Sequence, residues 1–530
     1  MQTLLQAVIR FYRTHFVIFW CGLFILFGIV NLIHHELWGD EMTVWLAVRD
    51  SDSLAEMLSN KRYDRSPDLW YLILYPISRF VVSPYAMQFA HLIIATITVY
   101  LVLQFAPFSK LEKILCVFGY FFVYEYAVVN RNYALGVLLI FLFVITYKTR
   151  HRYLIRTASI LFLLMQTSAY GLIFGISAVF SIAYEYIFQR TLLKFRQSFF
   201  QILISLLLVI SGVLLSIRAT NPPADAPELP LTTGVNFTQA AAALSGVWQA
   251  FIPIPDLHRQ FWSTNLLIPT FKYLPGFLTT TDYWSLVRTY PLEIMSLAVV
   301  LIVSIFILIY SLILFSINIR ILLLFGLSVV GMLGLSYFKY VGTVRHFGHY
   351  FIIWLICLWL LESHIKIRYK PQQIAFKFQK KLLFGIFLIH AFVGFFAVFA
   401  DWKYPFSAGR DVADYIKSKH LESDIFVGHG DYPGASVVGY FDQKIMYYPR
   451  GDRWGTFIKL DKTRETVSDM EMLERVQDIV GQQKKDVLLI LSYPFAGEKY
   501  PQYPLVHLKD FPESIVVSEF YRLYLFVYKT

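Results

Sequence analysis

Charge and cysteine are scarce in this sequence. Asp, Glu, Lys and Arg make up only 16% of its 530 residues, while 57% are hydrophobic and 18% aromatic. A soluble domain of ordinary composition carries about 25% charged residues, so a wholly soluble chain is excluded. The charges that remain are pushed into short clusters between apolar runs, as the cost of placing charge in hydrocarbon demands. There are three cysteines, Cys21, Cys116 and Cys357, each inside an apolar run. They are expected to pack as small hydrophobes, which excludes a disulfide framework. The net charge of +11 sits in short loops rather than on one amphipathic face, so it reads as a topology signal and gives no support to nucleic-acid binding.

Long apolar stretches are abundant. The first, Phe16 to Ile33, follows Arg10 and Arg13, lacks a small-x-small cleavage site and reads as a retained signal anchor. Ten more candidate spans cover roughly 86–106, 114–129, 132–147, 153–168, 170–188, 199–217, 293–317, 321–338, 350–362 and 382–400. The stretch 67–82 is short and holds Asp68, Pro76 and Arg79, so an interfacial or re-entrant helix is expected there. With about eleven spans, the basic clusters Lys110/Lys113, Lys148–Arg156, Arg190–Arg196, Arg320 and Lys366–Lys381 fall on one side with Arg10 and Arg13. This predicts a multi-pass plasma (inner) membrane protein with a cytoplasmic N-terminus and an outside C-terminus. The fold class expected is membrane all-α, with residues 1–400 as the polytopic body, outer loops at 34–85 and 219–292, and 401–530 as a soluble α/β domain on the outer face. In that domain, strands are expected at 425–427, 487–491, 515–517 and 523–527, and helices at 408–419 and 463–482.

The unusual polar residues collect at the outer ends of spans. Asp40 and Glu41 follow the first span; Asp64, Arg65 and Asp68 lie further along the same loop; Asn130, Arg131 and Tyr133 open the fourth span; Tyr340, Arg345, His346 and His349 stand between the ninth and tenth. Single charges at helix ends are commonly anchors that snorkel to headgroups. An adjacent acidic pair has no such value beside a neutral or anionic surface, and this favours chemistry for Asp40 and Glu41. A carboxylate can take the proton of an attacking hydroxyl, while Arg and His can hold a lipid phosphate and the charge that grows on it. His34 and His35 are expected to be interfacial side chains. Asn236-Phe237-Thr238 is a sequon too common to fix a compartment, and His429 and Asp431 sit in a Gly-containing turn.

Asp40-Glu41, the DRSPDLWYL stretch at 64–72, RNYAL at 131–135 and VRHFGHY at 344–350 together resemble the GT-C fold glycosyltransferases, similar to the protein O-mannosyltransferases and the lipid A aminoarabinose transferase. The resemblance implies transfer of a sugar from a polyprenyl-phosphate-linked donor to a glycan, lipid or protein acceptor at the outer face, with inversion. It implies Asp40 as base, with Glu41 the less favoured alternative. Donor-phosphate binding falls to Arg131 and Arg345, joined by His346 and His349; Asp64, Arg65, Asp68, Asn130, Tyr133 and Tyr340 are further site candidates. Many relatives show His-Pro-Pro where this chain has Ser66-Pro67-Asp68, which leaves Asp68 as a compensating acid or a helix cap. Some relatives need a divalent ion, but no pair among Asp40, Asp68, His346 and His349 has a diagnostic metal spacing, so no metal and no cofactor is expected. Two other classes compete: a polysaccharide polymerase or ligase, for which a C-terminal α/β domain is less expected, and a transporter or flippase, which calls for ionisable residues near the bilayer midplane.

Overall fold

The computed structural model describes residues 15–188, 198–228, 231–268, 291–362, 367, 369–430, 433–442 and 445–528. Arg10, Arg13, the Arg190–Arg196 cluster, Lys366, Arg368 and Asp431 lie outside the described residues. Each of the eleven expected spans contains helix. Among the described residues, eight helices are long and apolar enough to cross a membrane: Phe16–His34, Tyr85–Phe105, Ala169–Phe188, Phe199–Thr220, Pro291–Phe315, Ile319–Phe338, Val344–Glu362 and Lys370–Lys403. The stretches 132–147 and 153–168 form shorter apolar helices, and 114–129 is broken into the helix Lys110–Val117 and a π-helical turn, Phe121–Glu125. Val344–Glu362 begins six residues before the expected 350, so VRHFGHY is helical rather than loop.

The chain divides into two compact units. The first comprises the chain up to Ile29, His91–Arg218 and Leu229–Val398. At its centre Val344–Glu362 is buried almost throughout, and Phe237–Phe251 packs against it and against Pro291–Phe315. Phe199–Thr220, in contrast, keeps most of its apolar side chains on the surface, as a lipid-facing helix does. The helices Tyr133–Thr146, Ala169–Phe188 and Val344–Glu362 start at one end of this bundle, where Tyr133 and Tyr170 meet His346. At the opposite end Glu185 accepts from Arg150 Nη2 at 2.6 Å and from Arg320 Nη1 at 3.2 Å, and also pairs with His151. Two of the basic clusters expected on one side therefore share one buried carboxylate at one end of the bundle.

The second unit comprises Val30–Ala90, Ala219–Glu228 and the chain from Phe399 onward. Its core is a six-stranded sheet of order β3-β2-β1-β4-β6-β5, formed by β1 (Ile425–His429), β2 (Met446–Tyr448), β3 (Arg453–Gly455), β4 (Val487–Leu491), β5 (Leu505–Phe511) and β6 (Tyr521–Phe526). β2, β1 and β4 run parallel, with β3, β6 and β5 antiparallel around them. Alternation sends Phe426, Leu488, Ile490 and Leu523 to the face covered by helix Gly409–Ser418, and Val427, Leu489, Leu491 and Tyr524 to the face covered by Asp469–Gln483. The strand expected at 515–517 is a turn instead: Ile515 and Val516 donate their N–H groups to Pro405 and Phe406 and are buried there as a plug. Residues 67–82 contain the helix Leu69–Phe80, which packs on helix Gly39–Arg49. Arg79 is no headgroup anchor, because its guanidinium donates to the carbonyls of Val48 (2.7 Å), Arg49 (2.6 Å) and Ser51 (3.1 Å) and closes the C-terminus of that neighbouring helix.

Candidate functional site

In the first unit the turn after the π-helical segment and the first turns of Val344–Glu362 carry most of the expected residues. His91 faces the carbonyls of Ala127 at 3.2 Å and Arg131 at 3.1 Å and pins this turn; Asn130 Nδ2 closes onto Val128 O at 2.7 Å. His346 Nδ1 accepts the backbone N–H of Thr343 at 2.9 Å, so it carries no proton, and Nε2–H must donate to Tyr133 Oη at 2.8 Å. His349 has the other tautomer. Its Nδ1 meets the carbonyl of His346 at 3.0 Å and must carry the proton, which leaves the Nε2 lone pair without a partner among the described residues. These bonds tie His346 to Thr343 through Nδ1 and to Tyr133 through Nε2.

Around these rings Tyr170 stacks on His349 with centroids 4.7 Å apart, Tyr340 meets His346 edge-on at 5.2 Å, and Tyr126 Oη donates to Arg345 O at 2.8 Å. The guanidinium groups of Arg131 and Arg345 both act electrostatically on His346, and each residue is about nine-tenths buried. Arg345 lies over the ring of Trp262 at 5.6 Å, and Trp262 Nε1 donates to Glu125 at 3.2 Å. Arg131, Tyr133, Tyr340, Arg345, His346 and His349 are therefore gathered in one polar nest at one end of the helices. Tyr126, Tyr170 and Trp262 belong to it too; Tyr126 and Trp262, aromatic residues in apolar or proline-interrupted stretches, gave no sequence signal of a site.

In the second unit Asp40 and Glu41 occupy the first turn of helix Gly39–Arg49, where the backbone dipole favours negative charge. Glu41 is fully buried and its Oε2 accepts from the backbone N–H of Trp38 and from His35 Nε2, both at 3.2 Å. The other ring nitrogen of His35 meets Asp401 Oδ2 at 2.8 Å. Both partners only accept, so His35 is an imidazolium held between two carboxylates. Burial opposes that charge, but Asp401 and Glu41 outweigh it and push its pKa up to about 10. His35 is thus a buried ionic bridge and not an interfacial side chain; His34, by contrast, is exposed. Beside it, burial raises Glu36 to about 8 against the pull of Arg410, 3.4 Å away. The N–H of Gly39 donates at 2.9 Å to Glu519, whose other oxygen accepts from Ser407, Ser436 and Tyr521. Burial raises the pKa of Glu519, and these donors counteract it.

The remaining candidates are engaged locally. Asp64 accepts from Ser66 at 2.5 Å and Tyr71 at 2.9 Å, Arg65 donates to Pro227 O, and Asp68 pairs with Lys61. Asp68 stands at the N-cap of Leu69–Phe80 without a capping bond from its side chain. Asn236 of the sequon caps Phe237–Phe251 by accepting the N–H of Gln239 at 3.0 Å. Among the described residues no group of three or more His, Cys, Asp or Glu side chains converges as a metal site, and the two nitrogens of His35 face different carboxylates rather than a common point.

A multi-pass helical body with charged and aromatic residues at its helix ends, joined to a small α/β sheet domain, is the architecture of the GT-C fold. Among solved structures the chain is similar to ArnT from Cupriavidus metallidurans bound to undecaprenyl phosphate, with a TM-score of 0.50 and 10% identity over 97% of this chain and 98% of that one. No family model and no curated protein matches the sequence. The fold expected from the four short motifs is thus the fold observed.

Proposed function

We propose that this chain is a membrane glycosyltransferase that moves a sugar from a polyprenyl-phosphate donor to an acceptor hydroxyl on the outside of the plasma (inner) membrane. The observation that carries this reading is the burial of Arg131 and Arg345 together with His346, His349, Tyr133 and Tyr170 at one end of an apolar helix body. A lipid with an anionic headgroup presents its tail to hydrocarbon and its phosphate to such a nest. The GT-C likeness supports it, since the neighbouring structure is bound to undecaprenyl phosphate.

In the reaction the acceptor oxygen forms a bond to the anomeric carbon as the bond from that carbon to the phosphate oxygen breaks, inverting the centre. The electron pair stays on the phosphate, where Arg131 and Arg345 stabilise it. Asp40 takes the acceptor proton. Glu41 serves as a positioning residue, because its carboxylate is bonded to His35 and to the start of the Asp40 helix.

The test uses the full chain in lipid nanodiscs. Arg345→Ala is expected to weaken undecaprenyl phosphate binding by about tenfold to a hundredfold. Asp40→Asn is expected to keep that binding and to lose about 10²–10⁴ in the release of undecaprenyl phosphate from undecaprenyl-phosphate sugars. Normal turnover by Asp40→Asn removes Asp40 as the base, and unchanged binding by Arg345→Ala removes the phosphate site.

A further inference from the structure

A pocket of about 210 Å³ lies in the first unit beside the arginine and histidine nest and is not used by the chemistry above. Its wall includes Ser245, Gln249, Asp256, Thr264, Asn265 and Thr343. It adjoins the nest directly: Thr343 gives its N–H to His346, and Ser263 of the lining follows Trp262, over which Arg345 lies. Gly342, with φ +91°, turns the chain into the pocket wall. A Cβ on Gly246 would come within 2.5 Å of Phe347, so helix Phe237–Phe251 is pressed against Val344–Glu362 and fixes Gln249 in place.

Most of the lining is fixed by its own hydrogen bonds. Asn265 accepts from Trp248 Nε1 at 3.0 Å and from Leu267 N at 3.2 Å and donates to Ile252 O at 3.0 Å. Thr264 Oγ1 donates to Phe261 O at 2.6 Å and accepts from Asp256 N at 3.0 Å, while Ser245 donates to Ala242 O at 2.8 Å. Gln249 differs. It is 7% exposed and its carboxamide has no hydrogen-bond partner among the described residues, which leaves the donor and acceptor of a pocket-lining amide available to a ligand. A carboxamide presents a donor and an acceptor side by side, which matches neighbouring hydroxyls on a ring, and the carboxylate of Asp256 at the mouth adds a further acceptor. The volume is below the roughly 300–1,000 Å³ of drug-sized sites and suits one small polar ring rather than an oligosaccharide.

We infer that this pocket binds a single sugar ring through its hydroxyls, with Gln249 as the discriminating contact. This rests on the glycosyltransferase reading, and the ring belongs to the donor or to the acceptor.

The probes are undecaprenyl phosphate, a panel of undecaprenyl-phosphate hexoses, pentoses and N-acetylhexosamines, and the free methyl glycosides of the same sugars. They are measured on the full chain in nanodiscs, with Gln249→Met and Gln249→Glu each checked for unchanged thermal stability. If the ring is the donor's, one sugar-bearing lipid binds at least tenfold tighter than undecaprenyl phosphate, and Gln249→Met removes about tenfold of that margin with undecaprenyl phosphate affinity kept within twofold. Gln249→Glu, which keeps only acceptors, falls between. If the ring is the acceptor's, the donor margin stays and a methyl glycoside binds in a Gln249-dependent way in the presence of saturating undecaprenyl phosphate. Unchanged sugar dependence in both arms for both variants overturns the inference. Failure of undecaprenyl phosphate to bind, or its indifference to Arg345→Ala, sinks the broader reading instead, and the glycoside arm still decides the pocket.

Discussion

The two units bury polar groups to different ends. In the second, Glu519 collects four donors and His35 sits between two carboxylates, so the polar atoms are consumed in holding helix Gly39–Arg49 to the sheet domain. In the first, the rings of His349 and Tyr170 are as deeply buried and stack on one another, yet His349 Nε2 and Tyr170 Oη have no partner among the described residues. The Glu519 network is closed by its own donors, whereas His349 Nε2 and Tyr170 Oη stand open at the bundle end. Open atoms are not confined to that end, since Asp401 Oδ1 in the second unit also has no partner among the described residues.

The contrast can be broken most severely at Glu519. Glu519→Ala leaves several buried donors unanswered and is expected to destabilise the second unit by about 3 kcal/mol or more, read as faster proteolysis of the 399–530 segment. Resistance equal to wild type would show that the network carries no stability. The pH dependence sharpens the same point. His35 and Glu36 have raised pKa values in the folded chain, to about 10 and about 8, so the native state holds more protons than the unfolded one above their ordinary values of 6.5 and 4.5. Stability of this unit should therefore fall as pH rises, from Glu36 between 4.5 and about 8 and from His35 between 6.5 and about 10. In His35→Gln the decline above pH 8 should vanish from a thermal-melting series, and its persistence would place the titrating group elsewhere.

Smaller effects are expected in the first unit. Tyr133→Phe removes the acceptor of the His346 Nε2–H and should cost about 1–3 kcal/mol in thermal unfolding. Tyr170→Phe deletes a hydroxyl with no protein partner among the described residues, so stability should move by less than about 0.5 kcal/mol. Its undecaprenyl phosphate affinity should nevertheless drop several-fold; an unaltered affinity with a marked loss of stability would invert the assignment of roles.

Much of this was legible in the chain. Apolar run length gave the helices, two of the basic clusters do meet at one end, where Arg150 and Arg320 share Glu185, and strand-length apolar runs gave β1, β4 and β6. Arg345, His346 and His349 were visible because charge and imidazole are rare between apolar helices. What escaped depended on pairing at long range. Nothing local marks His35 as the partner of Asp401, 366 residues away, and a doublet of histidines at a helix end reads as interfacial. Tautomers were likewise beyond reach, since they follow from whether each nitrogen faces a donor or a carbonyl. The turn at 515–517 looked like a strand because three consecutive apolar residues suggest one, yet only Ile515 and Val516 are buried and Val517 is exposed.

The bond from Gly39 to Glu519 spans 480 positions of the chain. During synthesis the helix that carries Asp40 emerges early and waits, without its anchor, until residue 519 has left the ribosome and the last strand has joined the sheet. A nascent chain can therefore have its early apolar helices inserted while the start of helix Gly39–Arg49 still lacks the acceptor that holds it, so the local structure around Asp40 closes only after residue 519 has been made.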